Sequence, residues 1–462
     1  MGFPFEPLGQ GLVYNVVDYG ADPTGTNDST AAIQAALDDV GNAGSGTVFI
    51  PPGIFTVSAG LTIPGNTNLL GIYRAPATSG FGGRQSEIQV GGVLTSALFT
   101  VSGSNVSVQG LVINGPTSPT TQPVLSAGAV SGITLRDVFV SAGLGGIYLD
   151  GTQRIICDNV AVTSFYSQYG FSLVSCGQAY LSLCTASPQS GSPNMQASYY
   201  LDSCETVSFK ECGSTGAPPY ALELVSTNDS EFYDFEPNGA STAQIFINGG
   251  GDLTFVRVLV GQPAPTGIDI ENATGVQFLG GIVADASGSL VTGSANNELS
   301  FVGVSFSPTA SNTNPSVSFT AGNNGLVITG CTFTASAGAL AIDDATTYGS
   351  EYAAFYGNTI IGYATPSIAA SSGSPNLVVH SNPGFNPVGP VTVAVPASGT
   401  ATAALPYDAT YYITQSTAAS SVAVQGQTID IPIGGPTAIR VPAGETLTPT
   451  YTTAPTWVVM GE

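Results

Sequence analysis

The chain has 462 residues, 43% hydrophobic and 8% charged, with 59 Gly and 31 Pro, which excludes a disordered polyelectrolyte and leaves room for one extended domain and a smaller one. Seven Lys and Arg against thirty Asp and Glu give a net charge of -23, and Lys210 is the only lysine, so no basic patch exists for nucleic acid or an anionic membrane, and strongly anionic polysaccharides are disfavoured unless a cation intervenes. No uninterrupted apolar run of about twenty residues is present, so membrane insertion is not expected.

The chain begins MGFPFEPLGQ, without the basic region and apolar core of a secretory signal, so classical secretion from this start is not expected. Asp28 is a plausible N-cap for an Ala-rich helix over about 29–40, with Ala32, Ile33, Ala36 and Leu37 as its apolar stripe and Gly41 past its end. Residues 46–71, GTVFIPPGIFTVSAGLTIPGNTNLLG, read as the first short strands.

From there an apolar-x-apolar-x-x-apolar pattern recurs twelve times at intervals of 22 to 28 residues. It starts at Val106/Val108/Leu111, passes through Val207/Phe209/Cys212 and Leu253/Phe255/Val258, and ends at Leu377/Val379/Asn382. Most copies follow a second short alternating strand, such as Ile147/Leu149 or Tyr199/Leu201. One repeat cannot bury its own apolar face; coils stacked at about 4.8 Å can, with like residues over like. The prediction is an all-β parallel β-helix, with Phe209, Phe232, Phe255, Phe278 and Phe301 in one aromatic column and the helix over 29–40 closing its first coil. Cys157, Cys176, Cys184, Cys204, Cys212 and Cys331 fall on inward columns as free thiols. They form no Cys-x-x-Cys pair and lie far in sequence from the single histidine, His380, so neither a metal site nor a cofactor is expected. Asn358 and Asn382 replace apolar residues near the end and suit an amide ladder.

Past Asn382-Pro383-Gly384 the period disappears and the composition turns to Val, Thr, Ala and Pro. The expected organisation is a β-helix over 14–387 and a small β-sandwich over 388–462, preceded by a short segment, 1–13. Within the β-helix, the two positions between the second and third apolar columns hold Lys210/Glu211, Tyr233/Asp234 and Val256/Arg257. Glu211, Asp234 and Arg257 are thereby expected to stack at about 5 Å, a spacing that suits a retaining pair of glycosidase carboxylates with an arginine beside them; a solvated column of mixed charge is the plainer reading. Asp202, Glu223, Glu231 and Glu236 lie in the same stretch, and Tyr199, Tyr200, Tyr220 and Tyr233 offer faces for sugar stacking. Trp457, the only tryptophan, offers another face or packs in the small domain.

VVDYGADPTGTNDSTAAIQAAL (16–37) followed by GTVFIPPGIFTV (46–57) resembles the start of the pectate-lyase-like superfamily, which includes polygalacturonase-related glycosidases and phage tailspikes. The resemblance implies a right-handed single-stranded β-helix and is weak for activity. The Asn-Thr-Asp, Asp-Asp, Gly-His-Gly and Arg-Ile-Lys catalytic motifs of polygalacturonases are not intact here; Asp343-Asp344 and His380 are isolated remnants at best. Composition, repeat and resemblance together lead to the expectation of a phage tailspike or tail-fibre-like virion protein, a homotrimer that binds host cell-surface polysaccharide. Residues 1–13 would dock to other tail or baseplate proteins, and depolymerase activity is possible. A stand-alone extracellular glycoside hydrolase or polysaccharide lyase of bacterial origin is the alternative.

Overall fold

The computed structural model describes residues 12–73, 85–116, 119–141, 143–189, 195–261, 264–309, 311–320, 322–334, 340–344, 353–363, 368–370, 377–380, 382, 389–391, 393–405, 408–415, 420–434, 436–442 and 444–461. The chain is an all-β right-handed parallel β-solenoid followed by a small antiparallel sandwich. It divides into two compact units, Met1–Phe246 and Ile247–Glu462. Most of the expected docking segment, residues 1–11, and the expected boundary at 387/388 lie outside the described residues.

In the first unit the inward columns run as the repeat requires. Val106, Ile133, Ile155, Ala179 and Val207 lie over one another in parallel register, as do Val108, Leu135, Cys157, Leu181, Phe209 and Phe232. All are buried. A second parallel sheet stacks Leu61–Ile63, Phe99–Val101, Leu125–Gly128, Ile147–Asp150, Tyr169–Val174, Ala197–Asp202 and Tyr220–Val225 in chain order. Alternation along these strands sends one side chain inward and the next outward.

The capping helix spans Thr30–Ala43, with Ile33, Ala36, Leu37 and Val40 fully buried. Its cap residue is Ser29 rather than Asp28. Asp28 still anchors the first turn, because its Oδ1 accepts from the Thr30 backbone N–H at 2.9 Å and its Oδ2 from the Ser58 hydroxyl at 2.6 Å. Gly41 does not end the helix. A Cβ there would lie 3.3 Å from Pro64, so glycine serves close packing, and Gly44 at φ 83° takes the left-handed cap.

The second unit repeats the scheme with flatter aromatic stacking. Phe255 and Phe278 are 4.5 Å apart at 6°, and Phe278 and Phe301 are 5.0 Å apart at 7°; Phe209 and Phe232, in the first unit, are 5.1 Å apart at 39°. The Asn382 Oδ1 accepts from Asn358 N at 3.0 Å and from Asn358 Nδ2 at 2.9 Å, while Asn358 Oδ1 accepts from Cys331 N at 2.9 Å, so the expected ladder forms. A second ladder joins Asn296 Nδ2 to Asn323 Oδ1 at 3.0 Å. Six buried cysteines are free thiols, and burial pushes Cys331 up to about 11. The sandwich consists of a four-stranded sheet, Gly389–Val391, Thr456–Gly461, Ala409–Thr414 and Pro436–Val441, and a three-stranded sheet, Gln427–Ile431, Ser420–Val424 and Leu447–Thr450.

Corners of the coils are turned by single residues in left-handed conformation. In the first unit one such corner is taken by Asp137, Asn159, Leu183, Glu211 and Asp234, at φ of 50–54°. The equivalent repeat position in the second unit holds Arg257, then Gly280, Gly303, Gly330 and Gly357. Left-handed backbone favours Gly, Asn and Asp, so much of this column's composition follows from backbone geometry alone.

Candidate functional site

Glu211 and Asp234 occupy that corner on successive coils of the first unit, whereas Arg257 belongs to the second. Glu211 lies in open solvent: Lys210 Nζ stands 3.7 Å from its Oε1, and both side chains are 52% exposed. A carboxylate so placed keeps its hydration and gains little from its partner. The tyrosine hydroxyl of Tyr233 is committed to Glu231 Oε2 at 2.9 Å.

Tyr199 is not a sugar platform. It is fully buried, its ring stacks on Phe171 at 5.1 Å, and its hydroxyl donates to Cys184 O at 2.8 Å and Gly213 O at 2.9 Å. The cause is alternation: Tyr199 pairs with the inward residues Phe171 and Leu222, which leaves Tyr200 facing out. Trp457 packs against Tyr411, ring centroids 5.4 Å apart, and its indole N–H donates to Val393 O at 2.7 Å. Asp343 and Asp344 are neighbours on one strand and therefore face opposite ways, Asp344 buried and Asp343 half-exposed, so they cannot act as one pair.

The outer face of the second sheet in the first unit brings together a different set. Tyr148, Ser172, Tyr200 and Glu223 stand in register on four successive strands. The Tyr169 ring lies flat on Tyr200, centroids 4.3 Å apart at 12°, with Tyr148 6.5 Å from Tyr169. Tyr220 stacks on Phe246 at 4.8 Å. The sequence dictates this through YYLD (199–202) and ALEL (221–224): Leu201, Leu222 and Leu224 go to the core, and Tyr200, Asp202 and Glu223 are left on the outside.

Glu223 is only 7% exposed despite its outward position, in register with Tyr200 on the neighbouring strand. Its Oε1 accepts from Gln196 Nε2 at 3.3 Å, and its Oε2 has no hydrogen-bond partner. Burial raises its carboxyl above the usual carboxylate range, opposed by the Gln196 hydrogen bond and reinforced by the charge of Asp202. Asp202 is half-buried and well solvated by hydroxyls, with Tyr200 OH on its Oδ2 at 3.1 Å and Ser203 Oγ on its Oδ1 at 2.9 Å. Burial pushes the Tyr169 phenol up to about 12, with the charge of Glu223 adding to it. The face therefore combines aromatic surface, one carboxyl biased towards its protonated form and one carboxylate held by hydroxyls. That is the division of roles used in general acid and base catalysis.

A concavity of about 370 Å³ lies elsewhere on this unit, lined by Thr185, Ser187, Thr215, Glu236 and Asn238 among others. Its carboxylate is exposed and already accepts from Asn238 Nδ2 at 3.0 Å. Among the described residues no cluster of three or more His, Cys, Asp or Glu side chains suited to a metal ion is found. Sequence reasoning noted Asp202 and Glu223 only as neighbours, offered Tyr200 beside Tyr199 as a sugar face, and missed Tyr148 and Tyr169; the outward parity of Tyr148 was the available signal for the first of these.

Residues 13–88 match the family model described as rhamnogalacturonase A/epimerase, pectate lyase-like. The mannuronan C5-epimerase AlgE1 of Azotobacter vinelandii is 48% identical over 65 residues, 13% of this chain and 5% of that protein. The chain thus spans about a twentieth of the length of that relative. Among solved structures, the A-module of the Azotobacter vinelandii mannuronan C-5 epimerase AlgE6 is similar with a TM-score of 0.56 at 18% identity, over 79% of this chain and 97% of the module. Tailspike protein 3 of bacteriophage CBA120 aligns with a TM-score of 0.47 at 13% identity, over 84% of this chain and 65% of that one. The start of the chain is pectate-lyase-like, and its solenoid has the fold of the epimerase module.

Proposed function

We propose that this protein is a glycan-binding β-helix of the phage tailspike or tail-fibre type, attaching to host cell-surface polysaccharide through the tyrosine face of its first unit and cleaving it there. Tyr200 and Tyr169 offer ring faces to pyranose units. Glu223, in its protonated form, donates to the glycosidic oxygen, and Asp202 takes the proton of the attacking water; no cofactor enters this scheme. One observation carries the reading: a nine-tenths buried carboxyl with an unpartnered oxygen, on the strand beside the Tyr200 of a stacked tyrosine pair. A buried acceptor left unpaired costs about 1–3 kcal/mol, and a ligand hydroxyl would repay it.

The virion setting brings homotrimeric assembly, attachment to other tail or baseplate proteins and an extracellular working place. The pectate-lyase-like match over residues 13–88 favours a second reading, a stand-alone polysaccharide hydrolase or lyase, and would leave the same face in use. Glu211, Asp234 and Arg257 remain the weaker candidate for chemistry, and Tyr220 and Tyr233 for glycan contact. The test is incubation of the purified chain with capsular and cell-wall polysaccharides, product mass measurement and sizing. Oligosaccharide release by a trimer, abolished in Glu223→Gln, supports the proposal; release unchanged in Glu223→Gln sinks the site, and an active monomer moves the protein to the second reading.

A further inference from the structure

The tyrosine face carries no positive charge. None of the strands 125–128, 147–150, 169–174, 197–202 and 220–225 contains Lys, Arg or His, and neither do the segments joining them to the strands they follow. From Ile155 to Phe246 the single cationic side chain is Lys210, against nine carboxylates. Lys210 lies on a strand of the other sheet and is engaged by Glu211 at 3.7 Å. The polar groups named on the face are neutral or acidic: the hydroxyls of Tyr148, Tyr169, Ser172, Tyr200 and Ser203, the Gln196 amide, and the carboxyls of Asp202 and Glu223. The face thus offers hydroxyl and amide donors and aromatic surface, and nothing to neutralise a ligand anion.

Resting on the reading of this face as the glycan site, we infer that its ligand is an uncharged polysaccharide and that polymers carrying a carboxylate, sulfate or phosphate on each unit are rejected. Hydroxyls of a neutral sugar pair with Glu223 Oε2 and Asp202 and stack over Tyr200. A uronate carboxylate brought to the same place meets the Asp202 carboxylate at short range, with no cationic side chain on the face to offset the repulsion. Rejection by charge is a specificity device distinct from the attraction supplied by the rings.

The experiment measures binding of the full chain to neutral polymers (dextran, mannan, galactan, arabinoxylan) and to polyuronates (polygalacturonate, alginate, hyaluronate) at low and at about 0.5 M salt, with and without added calcium. The expected result is a neutral polymer bound at both salt concentrations, weakened at least tenfold by Tyr200→Ala, and polyuronates bound at least tenfold more weakly than that polymer. Asp202→Lys, which leaves the core untouched, should then raise polygalacturonate affinity at low salt by at least tenfold. A polyuronate bound as tightly as the best neutral polymer, and lost in Tyr200→Ala, overturns the inference while leaving the site in place. A neutral polymer whose binding ignores both Tyr200→Ala and Asp202→Lys overturns the site itself, and the inference with it.

Discussion

The first unit displays two sets of outward carboxylates, and they differ in solvent rather than in number. At the corner, Glu211 lies open to water beside Lys210. On the tyrosine face, Glu223 is buried beside Tyr200 with one oxygen unpartnered. A five-ångström stack of acids is cheap to make in a β-solenoid, because any outward column repeats from coil to coil. Removing water from one member is not cheap, and it is what separates a reactive carboxyl from a soluble one.

That contrast is most sharply tested by turnover. Glu223→Gln should reduce glycan cleavage by about 10²-fold or more, while Glu211→Ala changes it less than about twofold; equal losses in the two variants would erase the distinction. Tyr200→Ala should weaken glycan binding about tenfold in titration calorimetry, whereas Tyr233→Ala, on the other sheet, should leave the affinity where it was. Stability reports on the buried carboxyl by pH. Because the folded protein holds the Glu223 proton above the pH at which the unfolded chain releases it, stability drains away as pH rises past the unfolded value. Thermal melts should therefore show Glu223→Gln gaining on the parent chain at pH 8 and losing that advantage near pH 4. The smallest effect belongs to the corner backbone: Asp234→Gly at φ 50° exchanges strain for chain entropy and should shift denaturant stability by no more than about 1 kcal/mol.

The repeat made the solenoid legible because inward positions obey one rule, apolar every second residue, and Val207, Phe209 and Phe232 follow it on each coil. The same rule assigned Tyr199 to the core; treating it as a sugar platform overrode the parity that Leu201 already fixed. The helix end escaped because Gly41 has two possible uses, cap and close contact, and only Pro64 decides between them. The tyrosine face was hidden for another reason. Tyr169 leads its strand on the inward parity of Phe171 and Leu173, yet its ring lies against the outward Tyr200 of the next coil, an approach that alternation does not signal.

The amide ladders of the second unit impose an arithmetic on how this chain can change length. Each rung of Asn358 and Asn382 is keyed to the backbone of the coil before it, with Asn358 Nδ2 reaching Ile328 O at 2.9 Å and Asn382 Nδ2 reaching Phe355 O at 2.9 Å. Slipping one coil by a single residue would strand several buried donors and acceptors at once, while adding or deleting a whole coil would leave every remaining key in its lock. Growth by duplication of complete turns is thus permitted, and gradual drift of the reading frame between turns is not.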